Sequence, residues 1–370
     1  MQIHQLVNKE IKTSQPNIVS KNNSLVHIPE LDSLRTFAVF LTLVAHFLPF
    51  KIPYTWYGVE IFFTISGFLI TTILINTLNN NKNSSRGKII GNFMVRRAFR
   101  LFPLYYIFIT IFWFALNFFK LYLWKNEFNP YFFTYLPNIK LYQIGLGSGL
   151  CFSHLWSLGV EEQFYLVWPF LILFTPARYR IGLISFLMIL SLILHGIFYN
   201  DTYFHLLPYA NYHTLGAGAL LSCFYISHKK IMNWLALNRM PFFMFSFMHL
   251  IIVLIFFREG SAFWAVYRQL SLCVCTFSFV LVSIFGWKGW IGFITRNKSI
   301  QYIGTISYGI YILHMPVTWL YRIVLSHIAP SLHIPTIIST ILYFVISFLL
   351  AVLSYKFIET PFLKLKKYFS

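Results

Sequence analysis

The chain has 370 residues, of which 58% are hydrophobic and only 11% charged, and its mean hydropathy is +0.66. These values lie outside the range of soluble domains and make lipid the solvent for most of the chain. The formal charge of +19 does not indicate a nucleic-acid partner, because the 29 Lys and Arg residues fall between apolar runs and form no single basic face.

Aromatic residues make up 20% of the chain, which suits side chains facing acyl tails or sitting at headgroup level. The four cysteines, Cys151, Cys223, Cys273 and Cys275, lack metal-ligand spacing, and three lie in apolar runs. Neither a metal site nor a disulfide framework is expected from them.

Residues 1–27 are polar and contain no continuous apolar segment of the kind a cleaved signal peptide needs, so they read as a cytoplasmic tail. Residues 28–370 then form one transmembrane domain. Ten segments approach the roughly 20 apolar residues that cross a bilayer core: 34–50, 57–76, 101–121, 153–175, 181–199, 209–227, 240–257, 262–285, 301–321 and 335–356. The first and sixth are short and polar and need shelter from lipid by neighbouring helices. With both termini on one side, that side holds 22 of the 29 Lys and Arg residues. Positive charge collects on the cytoplasmic face. The expected fold is therefore an all-α, polytopic transmembrane helix bundle of about ten spans, with both termini cytoplasmic, in the cytoplasmic (inner) membrane.

Ionisable groups at membrane depth are costly and mark candidate sites. The first expected span opens with Glu30-Leu31-Asp32-Ser33-Leu34-Arg35 and ends in Ala45-His46-Phe47. Arg35 and His46 are eleven residues apart, which places them on one helical face about 16 Å apart along the axis. Arg35 would sit at the cytoplasmic boundary and His46 near mid-membrane, where a neutral imidazole can accept a proton.

After the second span, Arg96-Arg97-Ala98-Phe99-Arg100 places three guanidinium groups at the membrane entrance, where they suit either phosphate oxygens or anionic lipid. Within that span, Phe63-Thr64-Ile65-Ser66-Gly67 offers a small pair where a helix or an acyl chain could approach closely. The fourth span begins His154-Leu155-Trp156-Ser157 and carries Glu161 and Glu162 about 12 Å below the outer boundary. Consecutive residues point about 100° apart, so at most one of these carboxylates faces a shared cavity. The ninth holds Ser307-Tyr308 and then Tyr311 and His314, an i, i+3 pair on one face about 20 Å along the helix. His46, Glu161 and His314 are thus expected in one polar layer. In that layer Glu161 would orient the imidazole of His46 as a general base. Titratable groups at mid-depth also suit a proton-coupled transporter.

The order of these motifs resembles the acyltransferase-3 family of integral membrane acyltransferases. Leu-Asp-Ser-Leu-Arg to His46 is followed by Gly58-Val59-Glu60-Ile61-Phe62-Phe63-Thr64-Ile65-Ser66-Gly67-Phe68, then Arg97-x-x-Arg100 and His154-Leu155-Trp156-Ser157 leading to Glu161 and Tyr165. Ser307-Tyr308 to His314-x-Pro316 and Glu359-x-Pro361 complete the series. The resemblance implies O-acylation, usually O-acetylation, of cell-surface polysaccharide or a lipid-linked sugar, with acyl-CoA as cytoplasmic co-substrate and no tightly bound cofactor. It assigns His46 and Glu161 to catalysis and Arg35, Arg97 and Arg100 to the donor. Ser66, Gly67, Trp156, Tyr308, Tyr311 and His314 are the candidate substrate pocket.

Two departures are visible. Ser33 stands where the family commonly has Gly, and Asn211, Tyr212 and His213 stand where an arginine often precedes the Leu215-Gly216-Ala217 stretch. Many members also carry an extracytoplasmic esterase-like domain. Because Ser370 follows directly on the last expected span, transfer is expected to be completed within the membrane unless a partner helps. The alternative function is a transporter that flips a glycolipid or acyl carrier through the same polar layer, and a non-catalytic scaffold of a polysaccharide synthesis complex is a third.

Overall fold

In lipid a backbone N–H or C=O has no water to bond, so a spanning segment must satisfy its own backbone as a helix. A computed structural model of the chain describes residues 27–48, 50, 57–81, 83–118, 129–146, 152–256, 260–328 and 334–369, and among these there are helices and no strands. The tail expected over 1–27 falls outside the described residues up to position 26, as do Cys151 and several charges used to orient the chain, among them Lys51, Lys120, Lys125 and Arg258.

In chain order the helices are α1 (Pro29–Phe47), α2 (Gly58–Asn80), α3 (Arg86–Phe118), the short α4 (Asn129–Phe133) and α5 (Pro137–Ile144), and α6 (Trp156–Phe174). Next come α7 (Ala177–Ile197), α8 (Tyr212–Ser227), α9 (Lys229–Leu237), α10 (Arg239–Phe256) and α11 (Ala262–Phe285). The chain closes with α12 (Gly289–Thr295), α13 (Lys298–Thr305), α14 (Ser307–Ile328), α15 (Thr336–Ser354), a π-helical turn at Tyr355–Glu359 and α16 (Thr360–Leu365). Local signals account for several ends. Pro29 opens α1 at a position whose N–H has no helical partner, and Glu30 and Asp32 place negative charge in its first turn. Asn297 caps α13 by accepting from the backbone N–H groups of Ser299 and Ile300.

Among the described residues, six helical stretches are long and apolar enough to cross a membrane: α2, α3, α7, α10, α11 and the run from Thr336 to Tyr368. The other four expected segments fold as α1, α6, α8 and α14, which do not reach that standard of length and hydropathy. For α1, α6 and α14 the reason is compositional, since they carry the polar motifs, whereas α8 is too short at 16 residues.

Burial divides centre from periphery. The most apolar stretch of α2 is 78% buried, whereas that of α10 is 17% buried. A helix apolar on all sides belongs inside the bundle, and α2 packs along α8 at its most extensive interface. Small residues permit this approach: a Cβ placed on Gly67 would lie 1.9 Å from the Leu215 carbonyl oxygen, and one on Gly218 would lie 1.9 Å from that of Thr64. Outward-facing Phe186, Ile189, Phe245 and Met248 give α7 and α10 apolar surfaces suited to acyl tails.

Candidate active site

The face of α2 that turns away from α8 meets α1, α3, α6 and α14 around a cavity of about 700 Å³, a volume that includes its open mouth. Arg35, Arg97 and Arg100 line it, together with Ser66, Glu161, Tyr165, Ser157, Tyr308 and Tyr311. Phe62, Phe63, Leu69 and Leu101 supply apolar wall. Five helices therefore converge on one chamber with three guanidinium groups.

Each cation is held differently. Arg35 donates from Nη1 to Asp32 Oδ1 one turn earlier, at 2.8 Å, and Asp32 is also paired with His27. Arg97 lies over two aromatic faces, 5.1 Å from the Tyr165 ring centre and 5.7 Å from that of Phe93. Among the described residues neither Arg97 nor Arg100 has a carboxylate oxygen within 4.0 Å. Glu161 is the one carboxylate on the cavity wall and it bonds Ser66, so three guanidinium groups face the cavity against a single carboxylate, an excess of positive charge suited to phosphate oxygens.

Glu161 and Glu162 part as the helical rotation requires. Glu161 lines the cavity and accepts from Ser66 Oγ at 2.7 Å, while Tyr165 donates to the same Ser66 oxygen at 3.0 Å. Glu162 is not among the lining residues, and its buried Oε1 has no hydrogen-bond partner among the described residues.

At the inner end of the cavity, Tyr311 and Ser157 join α14 to α6 through a 2.6 Å bond between their hydroxyls, and Tyr311 reaches the His154 carbonyl at 2.8 Å. Behind this wall stand three imidazoles. The ring centres of His154 and His314 are 4.8 Å apart, and those of His314 and His46 are 5.0 Å apart. His154 and His314 are buried, whereas His46 is exposed.

Of the residues singled out from the sequence, the structure brings Arg35, Arg97, Arg100, Ser66, Glu161, Tyr308 and Tyr311 to the cavity wall. Four lie elsewhere. Gly67 sits in the α2–α8 contact, where no space remains for a ligand. Trp156 packs edge-on against Phe63 and His205, 6.1 and 5.3 Å between ring centres. His314 lies one ring beyond the cavity, past Tyr311, and His46 one ring further, behind His314. The expected partnership of Glu161 with His46 is not formed: Glu161 bonds Ser66, and the side chain that meets His46 is His314. The physical reason is axial. Ser157, at the imidazole level, precedes Glu161 by four residues, so the carboxylate lies about one helical turn, or about 6 Å, nearer the arginines.

His154 is the site residue whose placement sequence reasoning missed, although a signal exists. Pro316 has no N–H, so the Ile312 carbonyl four residues earlier loses its helical donor. His154 Nε2 fills that vacancy at 3.1 Å.

A family model described as an acyltransferase domain matches residues 28–356. YrhL of Bacillus subtilis strain 168, provisionally named a peptidoglycan O-acetyltransferase, is 31% identical over 90% of this chain and 55% of its own length. The peptidoglycan O-acetyltransferase OatA of Listeria monocytogenes is 28% identical over 91% of this chain and 56% of its own. The chain spans somewhat more than half the length of the curated relatives it matches. No solved structure matches it. With three guanidinium groups around one chamber, an imidazole cluster behind it and a family match across most of its length, the chain belongs to the acyltransferase-3 family.

Proposed function

We propose that this chain is an O-acyltransferase of the cytoplasmic membrane, foremost an O-acetyltransferase. It takes its acyl group from acyl-CoA on the cytoplasmic side and esterifies a hydroxyl of a cell-surface glycan or lipid-linked sugar. The names of the relatives make peptidoglycan the first acceptor to test. The observation that carries the reading is the arginine-lined cavity that ends at Tyr311, one ring short of His46.

Arg97 and Arg100 hold the phosphates of the donor, with Arg35 oriented beside them by Asp32. The thioester lies toward the inner end, against Phe62, Ser157 and Tyr311. His46 presents its exposed edge to the acceptor. Its Nε2 takes the hydroxyl proton as the acceptor oxygen attacks the thioester carbonyl carbon. The carbon–sulfur bond then breaks, and the CoA thiolate leaves as the free thiol by taking up the proton that His46 Nε2 removed, which restores the base. Parting of the Tyr311–Ser157 bond opens the wall between donor and base.

The test uses purified full-length chain in phospholipid vesicles, radiolabelled acetyl-CoA and peptidoglycan glycan strands, with base-labile label on the glycan as readout. His46→Ala is expected to lower ester formation ~10²–10⁴-fold, the usual contribution of a general base, with unchanged protein yield. Ester formation at the wild-type rate removes His46 from the scheme. Label that crosses the vesicle without forming ester identifies a transporter.

A further inference from the structure

The imidazole cluster has a directional hydrogen-bond pattern. His314 Nδ1 lies 2.6 Å from the Tyr311 carbonyl oxygen, which only accepts, so that nitrogen carries the proton and Nε2 is left as a bare acceptor. His46 Nδ1 lies 2.9 Å from the Thr42 carbonyl oxygen and 3.3 Å from His314 Nε2. Both neighbours are acceptors, so His46 Nδ1 also carries its proton and shares it between them. The second nitrogen of His46, Nε2, is thereby left unprotonated.

From this geometry we infer that His314 is the positioning residue for His46: it accepts a hydrogen bond from Nδ1–H and holds the ring with Nε2 turned away from the pair. The inference rests on the proposed role of His46 as base. It places an imidazole where a triad would place a carboxylate, and it removes Glu161 from that duty. His314 is suited to the task by enclosure. It is fully buried, with its ring 4.8 Å from His154, 5.5 Å from Tyr311 and 6.0 Å from Phe47. His154 donates to the Ile312 carbonyl through Nε2, and its buried Nδ1 has no hydrogen-bond partner among the described residues, so it presents no proton to compete for His314 Nε2. The proline two residues after His314 thus anchors the ring packed behind it.

The experiment compares His314→Ala and His314→Gln in vesicles containing the full chain, with acetyl-CoA and peptidoglycan glycan strands as substrates. A glutamine oxygen accepts from His46 Nδ1, whereas alanine leaves it with the Thr42 carbonyl alone. The expected result is a fall in kcat of ~100-fold for His314→Ala, with KM for acetyl-CoA within about twofold of wild type, and at least tenfold recovery in His314→Gln. Nitrogen-15 NMR of histidine-labelled protein, with the His46 signals assigned by their loss in His46→Asn, reads the tautomer independently of activity. A single Nδ1–H form is expected in the wild type and in His314→Gln, and a mixture in His314→Ala. The inference is overturned if His314→Ala retains wild-type kcat, if His314→Gln is as impaired as His314→Ala, or if wild-type His46 is protonated on Nε2. An inactive wild type that still shows the Nδ1–H form in the NMR spectrum refutes the acyltransfer reading and leaves the pairing supported.

Discussion

Ser66 and Gly67 are neighbours on α2, yet they face opposite worlds. Gly67 is pressed onto the backbone of α8 with no room for a methyl group, whereas Ser66 opens onto the arginine-lined cavity and bonds Glu161. The 100° between consecutive residues is enough to separate a packing surface from a chemical one. A motif read as a unit is therefore two devices, one that brings helices together and one that orients a carboxylate. The same division applies to Glu161 and Glu162 on α6.

Substitutions that act on one face only will sharpen or break this contrast. The largest effect is expected from Gly218→Ala, the partner of Gly67 in the contact, where a methyl meets the Thr64 carbonyl. Overpacking costs about 1–3 kcal/mol and more where backbone must move, so the thermal midpoint of the detergent-solubilised protein should fall by several degrees. An unchanged midpoint would show that α8 can slide away and that the contact is loose. Arg97→Ala should come next, with the fold intact and KM for acetyl-CoA raised about 10–100-fold, the loss of a charge-assisted contact worth roughly 1.5–3 kcal/mol. An equal loss of thermal stability would make Arg97 a packing residue through Tyr165 and Phe93. Ser66→Ala removes the donor to Glu161 and should lower kcat about fivefold to tenfold without moving the midpoint, measured in the same vesicles. If it instead destabilises the chain as Gly218→Ala does, the two faces are not separable. Smallest is the control Gly91→Ala on α3, where nothing lies within 4 Å of the added carbon. Relief of glycine's excess entropy should stabilise the chain by about 0.5–1 kcal/mol at most, with activity unchanged.

The helices were legible in the sequence because apolar length is a local property: each of the ten expected segments overlaps one of the ten longest helices among the described residues, and the short α4, α5, α9, α12, α13 and α16 are the ones that escaped. Five to nine residues give too little periodicity to detect. The arginine end of the cavity was equally legible. Arg35, Arg97 and Arg100 stand out as charges bordering apolar runs, and all three line the cavity. The imidazole end was legible only in part. Placing His46, Glu161 and His314 in one layer by counting rises from helix starts carries an error of about a turn, and one turn was the distance that mattered. His154 escaped for a different cause, since the acceptor it satisfies exists only because Pro316, on another helix, leaves a carbonyl free.

Composition and order of residues by themselves determined that this chain is helical, bound for lipid and a carrier of the acyltransferase-3 motifs, because hydropathy, helical periodicity and motif order are written along one strand of sequence. Which member of each adjacent pair faces the cavity, which imidazole touches His46 and where the cavity stops were decided by tertiary packing. Those facts depend on rotations and axial offsets between helices far apart in the chain, and α2 and α8 take theirs from contacts between backbones at glycine.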